Sequence, residues 1–220
     1  MDRSDPAYKG QADYNRLVLN LYDPLVVGPI AKFIWRSPKD RLVERYRRFI
    51  RPNHLDVGPG TGYFLDRSGL PDGSAVTIVD PNPNVLRHVR GRLKQFNVTA
   101  VEADVLKPLP VQGPFDSAAL HLVIHCRPGP SERKSKAVQN VAAVMADDGT
   151  LFGASVLGRS GPHNRAARAL LRVFNRQGGF DNLDDSEESL HRMLSASFEE
   201  VELGVIGSIA VFSATGRRPT

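Results

Sequence analysis

The sequence is poor in cysteine and has no long apolar run. Its only cysteine, Cys126, has no partner for an internal disulfide. No stretch approaches the roughly 20 apolar residues that a membrane-spanning helix needs. The first residues, Met1 to Pro6, are polar and lack the apolar core of a secretory signal. These absences exclude a disulfide framework and a helical membrane span, and a soluble protein in a reducing cytoplasm is expected.

The excess of positive charge is small. Lys and Arg number 29 and Asp and Glu number 24, which gives a formal net charge of +5. Much of the excess lies in two groups of arginines, within residues 41–51 and 159–176. We interpret both groups as solvated helix faces, and nucleic acid is disfavoured as a partner.

From residue 54 onward, strand-like and helix-like segments alternate. Strands are predicted at 54–57, 75–79, 98–102, 115–120 and 150–156, and helices at 63–70, 84–96, 132–145 and 164–177. The last two β-rich runs, 199–206 and 209–215, are separated only by Gly207-Ser208, which favours a hairpin. This alternation predicts an α/β fold with right-handed crossovers and a mostly parallel sheet covered on both faces.

The length of 220 residues suits one domain, 1–220. Two segments outside the alternating pattern are predicted to cap it: an N-terminal cap at 8–36 and an inserted cap segment at 158–185. Their aromatic residues predict an aromatic or otherwise apolar pocket, although helically spaced aromatics are also typical of a core; they are Phe33, Trp35, Phe174 and Phe180.

The strongest motif is the run Asp-Val-Gly-Pro-Gly-Thr-Gly from Asp56 to Gly62. A strand that leads into closely spaced glycines and then a helix lets the backbone approach a ligand. The glycines Gly58, Gly60 and Gly62 follow G-x-G-x-G, whereas the dinucleotide fingerprint is G-x-G-x-x-G. The Asp56 carboxylate would oppose a pyrophosphate but would suit a ligand with an ammonium group. The run, including Pro59, therefore predicts a turn that binds such a ligand.

Two further acidic residues follow the next strands. Asp80, with Pro81 after it, ends the second strand, where a carboxylate can accept hydrogen bonds from both hydroxyls of a ribose. The alternative is that Asp80 caps the following helix. After the third strand, Asp104 could accept the exocyclic amine of an adenine while Val105 packs on the ring. Together these positions favour a nucleoside ligand.

These motifs and their order resemble the class I S-adenosylmethionine-dependent methyltransferase superfamily. The matching segments are Asp56–Gly62 for the glycine-rich motif, Asp80 for the ribose-binding acid, 103–105 for the adenine motif, 115–121 for the fourth-strand motif and 145–151 for the turn into the fifth strand. The resemblance covers roughly residues 40–157 and the terminal hairpin. It implies a Rossmann-like three-layer sandwich whose seven-stranded, mostly parallel sheet has one antiparallel strand and a C-terminal β-hairpin.

The same resemblance implies S-adenosyl-L-methionine as cofactor and methyl transfer to a small organic molecule by in-line displacement. It is strongest to small stand-alone enzymes that act on metabolites, in which an aromatic residue of the N-terminal cap closes over the cofactor. This implies a role for Tyr14 or Tyr22. The methyl-accepting atom is left open, as is the choice between monomer and homodimer.

Two histidines after the fourth strand are the candidate catalytic residues. His121 and His125 lie where the donor methyl should project, and either could take a proton from a phenol, enol or ammonium group. Alternatively they are structural, or His121 lines the cofactor pocket through its carbonyl. No metal is expected, since no metal-ligand spacing is present. Cys126 is interpreted as structural, and His54 as a packing residue at a strand end.

Three alternative functions use parts of the same pattern. A nicotinamide-dependent oxidoreductase would use the glycine turn and Asp80, but the missing fingerprint glycine and Asp56 argue against it. An RNA methyltransferase would use the positive charge. After the fourth strand, however, the chain lacks the polar-Pro-Pro-aromatic motif of enzymes that methylate base amines. A non-catalytic subunit that binds S-adenosylmethionine is the third alternative.

Overall fold

The seven strands of this computed structural model, which describes residues 30–219, belong to one sheet. They are β1 (Asn53–Val57), β2 (Ala75–Val79), β3 (Asn97–Val101), β4 (Phe115–His121), β5 (Met145–Val156), β6 (Phe198–Ile206) and β7 (Ile209–Arg217). The order across the sheet is β3-β2-β1-β4-β5-β7-β6. Only β7 runs against the others, since it pairs antiparallel with both β5 and β6. The predicted sheet, with its hairpin and single antiparallel strand, is confirmed.

Helices cover both faces of this sheet. They are α1 (Lys39–Phe49), α2 (Tyr63–Asp66), α3 (Pro83–Arg92), α4 (Ser131–Ala142), α5 (Arg165–Gln177) and α6 (Glu187–Ser195). Apolar residues of α4 and α6 pack on one face, and those of α1 and α3 on the other. This confirms the three-layer sandwich. Within residues 30–219, no helix is long and apolar enough to cross a bilayer.

Three element boundaries differ from the sequence prediction by four residues or more. Helix α2 is a single turn that ends at Asp66, because the chain bends away at Gly69, whose φ is 79°. Helix α3 ends at Arg92 instead of residue 96. Strand β5 begins at Met145 instead of residue 150, since Met145 pairs with Phe115 ahead of a register shift.

Strand β1 sends apolar and polar side chains to opposite faces. Leu55 and Val57 belong to the core beside α4 and α6. Because side chains alternate along a strand, His54 and Asp56 point to the α1 side, where both are buried. The sheet therefore carries a buried carboxylate directly before the glycine-rich turn.

The 158–185 segment is fastened to the sheet by buried polar groups. The Asn182 side-chain amide donates to the Val156 carbonyl at the end of β5, at 2.8 Å. Next to it, three of the four predicted pocket aromatics come together, with ring centroids 6.3 Å apart for Trp35 and Phe180 and 4.8 Å apart for Phe174 and Phe180. The prediction for Phe33 is wrong, because its side chain is 67% exposed. Residues 8–29 of the N-terminal cap, including Tyr14 and Tyr22, lie outside the described residues.

Candidate active site

The loops after β1 and β4 meet at the point where the strand order reverses. From β1 the chain proceeds outward to β2 and β3, then returns to place β4 on the other side of β1. In open α/β sheets, the crevice outside the carboxyl ends of the strands at such a point is where ligands bind. The loops touch closely, since a Cβ added to Gly58 would lie 2.6 Å from a methyl carbon of Val123.

The turn from Gly58 to Gly62 has the backbone shape that the sequence predicts. Gly58, Gly60 and Gly62 have φ values of 67°, 58° and 74°, which side chains with a Cβ rarely adopt. A Cβ on Gly60 would meet nothing within 4 Å, so the backbone there borders open space. Gly62 directly precedes α2, whose N-terminus lies behind the turn. The geometry suits a ligand held against the backbone.

Asp56 lies two residues before this turn, and one of its carboxylate oxygens accepts a hydrogen bond. It is 1% exposed, and the Tyr46 hydroxyl donates to its Oδ2 at 2.9 Å. Among the described residues, Oδ1 is buried and has no hydrogen-bond partner. Tyr46 is not among the predicted site residues, because its signal in the sequence is only that of an aromatic residue on the buried face of an amphipathic helix.

His54 is more than a packing residue. Its Nδ1 lies 2.8 Å from the Ser117 hydroxyl, and its Nε2 lies 3.8 Å from Oδ2 of Asp56. The imidazole is fully buried between β1 and its neighbours. His54 therefore contributes a hydrogen bond between β1 and β4 beside the Asp56 carboxylate.

Asp80 is not the cap of α3, so that interpretation is wrong. The cap is Asn82, whose side-chain oxygen accepts from the amide of Asn84 at 2.9 Å. Asp80 Oδ1 instead accepts from the Asn82 amide at 2.8 Å. Burial raises the pKa of Asp80 to about 6 and outweighs the opposing effects of that hydrogen bond and of the Arg127 charge.

A surface cavity of about 250 Å³ lies where the adenine is predicted. Pro81, Ala103 and Asp104 are among its lining residues. Asp104 Oδ1 accepts from the Leu106 amide at 3.1 Å. Val105 is buried in the core under this loop and is not among the residues lining the cavity.

His121 is buried among aromatic rings. Its ring centroid lies 4.6 Å from that of Phe64 and 5.2 Å from that of Tyr46. Both ring nitrogens are buried without a hydrogen-bond partner within residues 30–219. Burial, reinforced by the charge of Arg45, lowers the pKa of His121 to about 3, so the imidazole is neutral.

His125 contacts the cap segment. Its ring lies 4.5 Å from that of Phe180, and its carbonyl accepts from the Asp181 amide at 2.9 Å. Its Nδ1 accepts from the Val156 amide at 3.3 Å, which leaves the ring proton on Nε2. Burial, with the charges of Lys134 and Arg127, lowers the pKa of His125 to about 3.

Cys126 has the properties of a structural residue. Burial raises the pKa of its thiol to about 11, so the thiolate does not form at neutral pH.

The loop after β4 also contains Leu122, whose φ is 62°. This conformation costs energy for a residue with a Cβ. The Leu122 side chain packs, half-buried, in an apolar cluster with Trp35, Leu171 and Phe180 under the cap.

Comparison with known proteins gives the family. A family model described as a methyltransferase domain matches residues 55–151. A physcion biosynthesis cluster O-methyltransferase of Aspergillus chevalieri is 36% identical over 217 residues, covering 97% of this chain and 98% of that protein. The chain belongs to the methyltransferase family. Demethylluteothin O-methyltransferase of Streptomyces thioluteus is also similar to this methyltransferase, at 34% identity over 93% of this chain and 90% of the relative.

A solved structure with the same fold is the N-methyltransferase NodS of Bradyrhizobium japonicum in complex with S-adenosyl-L-homocysteine. Its TM-score with this methyltransferase is 0.62 at 16% identity, and the match covers 98% of this chain and 100% of that chain. Family membership rules out the nicotinamide-dependent oxidoreductase.

The methyltransferase uses S-adenosylmethionine as its methyl donor. When bound, the cofactor supplies an electrophilic methyl group on a sulfonium sulfur. The residues at the switch point fit it, because the Asp56 oxygen that has no partner in the described part of the chain matches an ammonium donor and the open space beside Gly60 admits a ligand against the backbone.

Proposed function

We propose that this methyltransferase, as one domain spanning 1–220, methylates a hydroxyl oxygen of a small, largely apolar organic molecule in the cytoplasm. The acceptor would bind under the 158–185 cap, beside the apolar cluster of Trp35, Leu122, Leu171 and Phe180. The names of the two O-methyltransferase relatives support oxygen as the accepting atom. A free cysteine supports the reducing compartment.

The proposed cofactor site follows the carboxyl ends of the first three strands. Asp56 would accept a hydrogen bond from the cofactor ammonium, and the backbone from Gly58 through Pro59 and Gly60 to Gly62 would enclose its amino-acid part. Asp80 and Pro81 would hold the ribose and Asp104 the adenine, while Val105 would support the Asp104 loop from the core. Tyr14 or Tyr22 would close over the cofactor from the N-terminal cap, in a part of the chain outside the described residues.

Neither histidine is proposed to act as a general base. With pKa values of about 3, both rings are poor proton acceptors at neutral pH, since an effective base has a pKa near the working pH. His121, packed on Phe64, would form a wall of the cofactor pocket. His125 would donate a hydrogen bond from Nε2 to the acceptor and so orient it.

In this reaction Asp56 and the glycine-rich turn would hold the methyl donor, which would supply an electrophilic methyl group and keep the bonding electron pair on its sulfur as a thioether. His125 would orient the acceptor hydroxyl toward that methyl group, and the hydroxyl proton would pass to water. Alignment of donor and acceptor then supplies most of the rate enhancement.

The observation that carries the proposal is the buried Oδ1 of Asp56, which has no hydrogen-bond partner among residues 30–219 and directly precedes a turn whose backbone borders open space. Calorimetry should show binding of S-adenosylhomocysteine and no comparable binding of NADH. Methyl-labelled cofactor should then label phenolic acceptors in preference to aromatic amines and to mixed RNA. Tighter binding of NADH would contradict the cofactor site, and labelling of RNA alone would contradict the acceptor class.

A further inference from the structure

Tyr46 on α1 forms a buried hydrogen bond with the Asp56 carboxylate. It is 2% exposed, and its hydroxyl donates to Asp56 Oδ2 at 2.9 Å. The ring is fixed by aromatic neighbours, with centroids 5.0 Å from Phe152 in a T-shaped contact and 5.7 Å from Phe64 in a stacked one. The hydroxyl position is therefore set by the core rather than by a mobile side chain.

This contact leaves the two carboxylate oxygens in different states. Oδ2 is occupied by the tyrosine hydroxyl, and the nearest His54 nitrogen, at 3.8 Å, is too far for a hydrogen bond. Oδ1 is buried without a partner in the described part of the chain. A buried acceptor without a partner costs free energy, and a ligand that donates to it recovers that cost.

The protonation state of Tyr46 favours a permanent donor. Burial raises the pKa of its phenol well above 10, and the nearby negative charge of Asp56 raises it further. The phenol therefore keeps its proton at any physiological pH. It remains the donor in this hydrogen bond, and the carboxylate remains the acceptor.

We propose that Tyr46 is a positioning residue for the cofactor, which orients Asp56 so that Oδ1 receives the ammonium group of S-adenosylmethionine. Tyr46 does not touch the cofactor and acts only through Asp56. This inference rests on the proposed binding of the ammonium by Asp56.

The test compares two ligands on the variant Tyr46→Phe, which removes the hydroxyl and keeps the ring. S-adenosylhomocysteine carries the ammonium, whereas 5′-methylthioadenosine keeps the nucleoside and thioether but lacks it. We expect Tyr46→Phe to weaken S-adenosylhomocysteine binding about tenfold and to leave 5′-methylthioadenosine binding unchanged, the size expected for one hydrogen bond to a charged group. Tyr63→Phe is the matched control, because it removes a nearby tyrosine hydroxyl that does not contact Asp56, and it should change neither affinity.

A double-mutant cycle separates action through Asp56 from a general structural effect. In the Asp56→Asn background, Tyr46→Phe should weaken S-adenosylhomocysteine binding by less than twofold. Equal losses for both ligands, or an unchanged affinity for S-adenosylhomocysteine, would overturn the inference while the cofactor site stands. Failure of the unmodified protein to bind S-adenosylhomocysteine would overturn the proposed function itself.

A second measurement needs no substitution. A buried, hydrogen-bonded phenol proton exchanges slowly enough to be followed by NMR, and the Tyr46 hydroxyl proton should shift when S-adenosylhomocysteine is added. With 5′-methylthioadenosine it should shift much less. Equal shifts with both ligands would contradict a role directed at the ammonium.

Discussion

The Nζ of Lys134 lies 2.7 Å from both carboxylate oxygens of Asp185. Lys134 belongs to α4 and is 1% exposed, whereas Asp185 ends the 158–185 cap segment. The same Nζ donates to the Asp181 carbonyl at 2.5 Å. A buried cation thus fixes the end of the cap to the helical layer of the sheet, which keeps Phe180 beside His125.

Loss of this cation should destabilise the protein strongly. Lys134→Met would leave the Asp185 carboxylate buried without its counter-charge, and we expect the free energy of unfolding to fall by about 3 kcal/mol. Urea denaturation measures the loss. The exposed pair Arg159 and Asp184 is the control, since Arg159→Met should cost less than about 0.5 kcal/mol. Equal effects of the two substitutions would contradict a stabilising role for the buried ion pair between Lys134 and Asp185.

Gly60 and Gly58 should respond differently to alanine. Gly60→Ala places a Cβ in open space, so the cost to stability is the positive φ alone, about 1 kcal/mol, while cofactor affinity falls more than about tenfold. Gly58→Ala adds a clash with Val123 and should lower the free energy of unfolding further. Thermal unfolding with and without S-adenosylhomocysteine measures both effects. Normal ligand-induced stabilisation of Gly60→Ala would show that the open space is not the cofactor site.

Binding of the cofactor should weaken in mild acid because of Asp80. Its pKa of about 6 lies above the usual value near 3.9, so the carboxylate gains a proton as the pH falls through 6 and becomes a poorer acceptor for ribose hydroxyls. Calorimetry should show weaker S-adenosylhomocysteine binding at pH 5 than at pH 7.

The variant Asp80→Asn provides the control for that pH dependence. It should bind about 1–3 kcal/mol more weakly at pH 7 and should lose the change between pH 5 and pH 7. A variant that keeps the full pH dependence would assign the titration to another group.

The rate of methyl transfer should show no histidine titration near neutral pH. Because burial lowers the pKa of both His121 and His125 to about 3, each is neutral throughout pH 5 to 8. With S-adenosylmethionine saturating, so that titration of Asp80 does not limit the rate, a profile of kcat/KM for the methyl acceptor should therefore lack an acidic limb with a midpoint near 6.5. A limb at that midpoint that disappears in His125→Phe would restore the general-base role.

The sequence predictions that the structure confirms rest on local rules. Three glycines at alternate positions require a backbone that other residues rarely adopt, so the turn after β1 could be predicted without any tertiary contact. Alternating strand and helix periods likewise predicted the layered sheet, and Gly207-Ser208 predicted the hairpin. The helix cap could not be assigned in this way, because Asp80 and Asn82 are both good caps and only the turn geometry selects Asn82.

Tertiary packing decided the features on which the chemistry depends. The hydrogen bond between Tyr46 and Asp56 exists because α1 packs on the sheet face that carries Asp56, and no spacing in the chain specifies that packing. The neutrality of His121 follows from its burial against rings of two separate helices, Tyr46 of α1 and Phe64 of α2. Phe33 and Trp35 have similar side chains two residues apart, yet only Trp35 is covered. Sequence alone set the fold and the ligand-binding turn through backbone geometry and periodicity, whereas burial and charge depend on which elements meet in space.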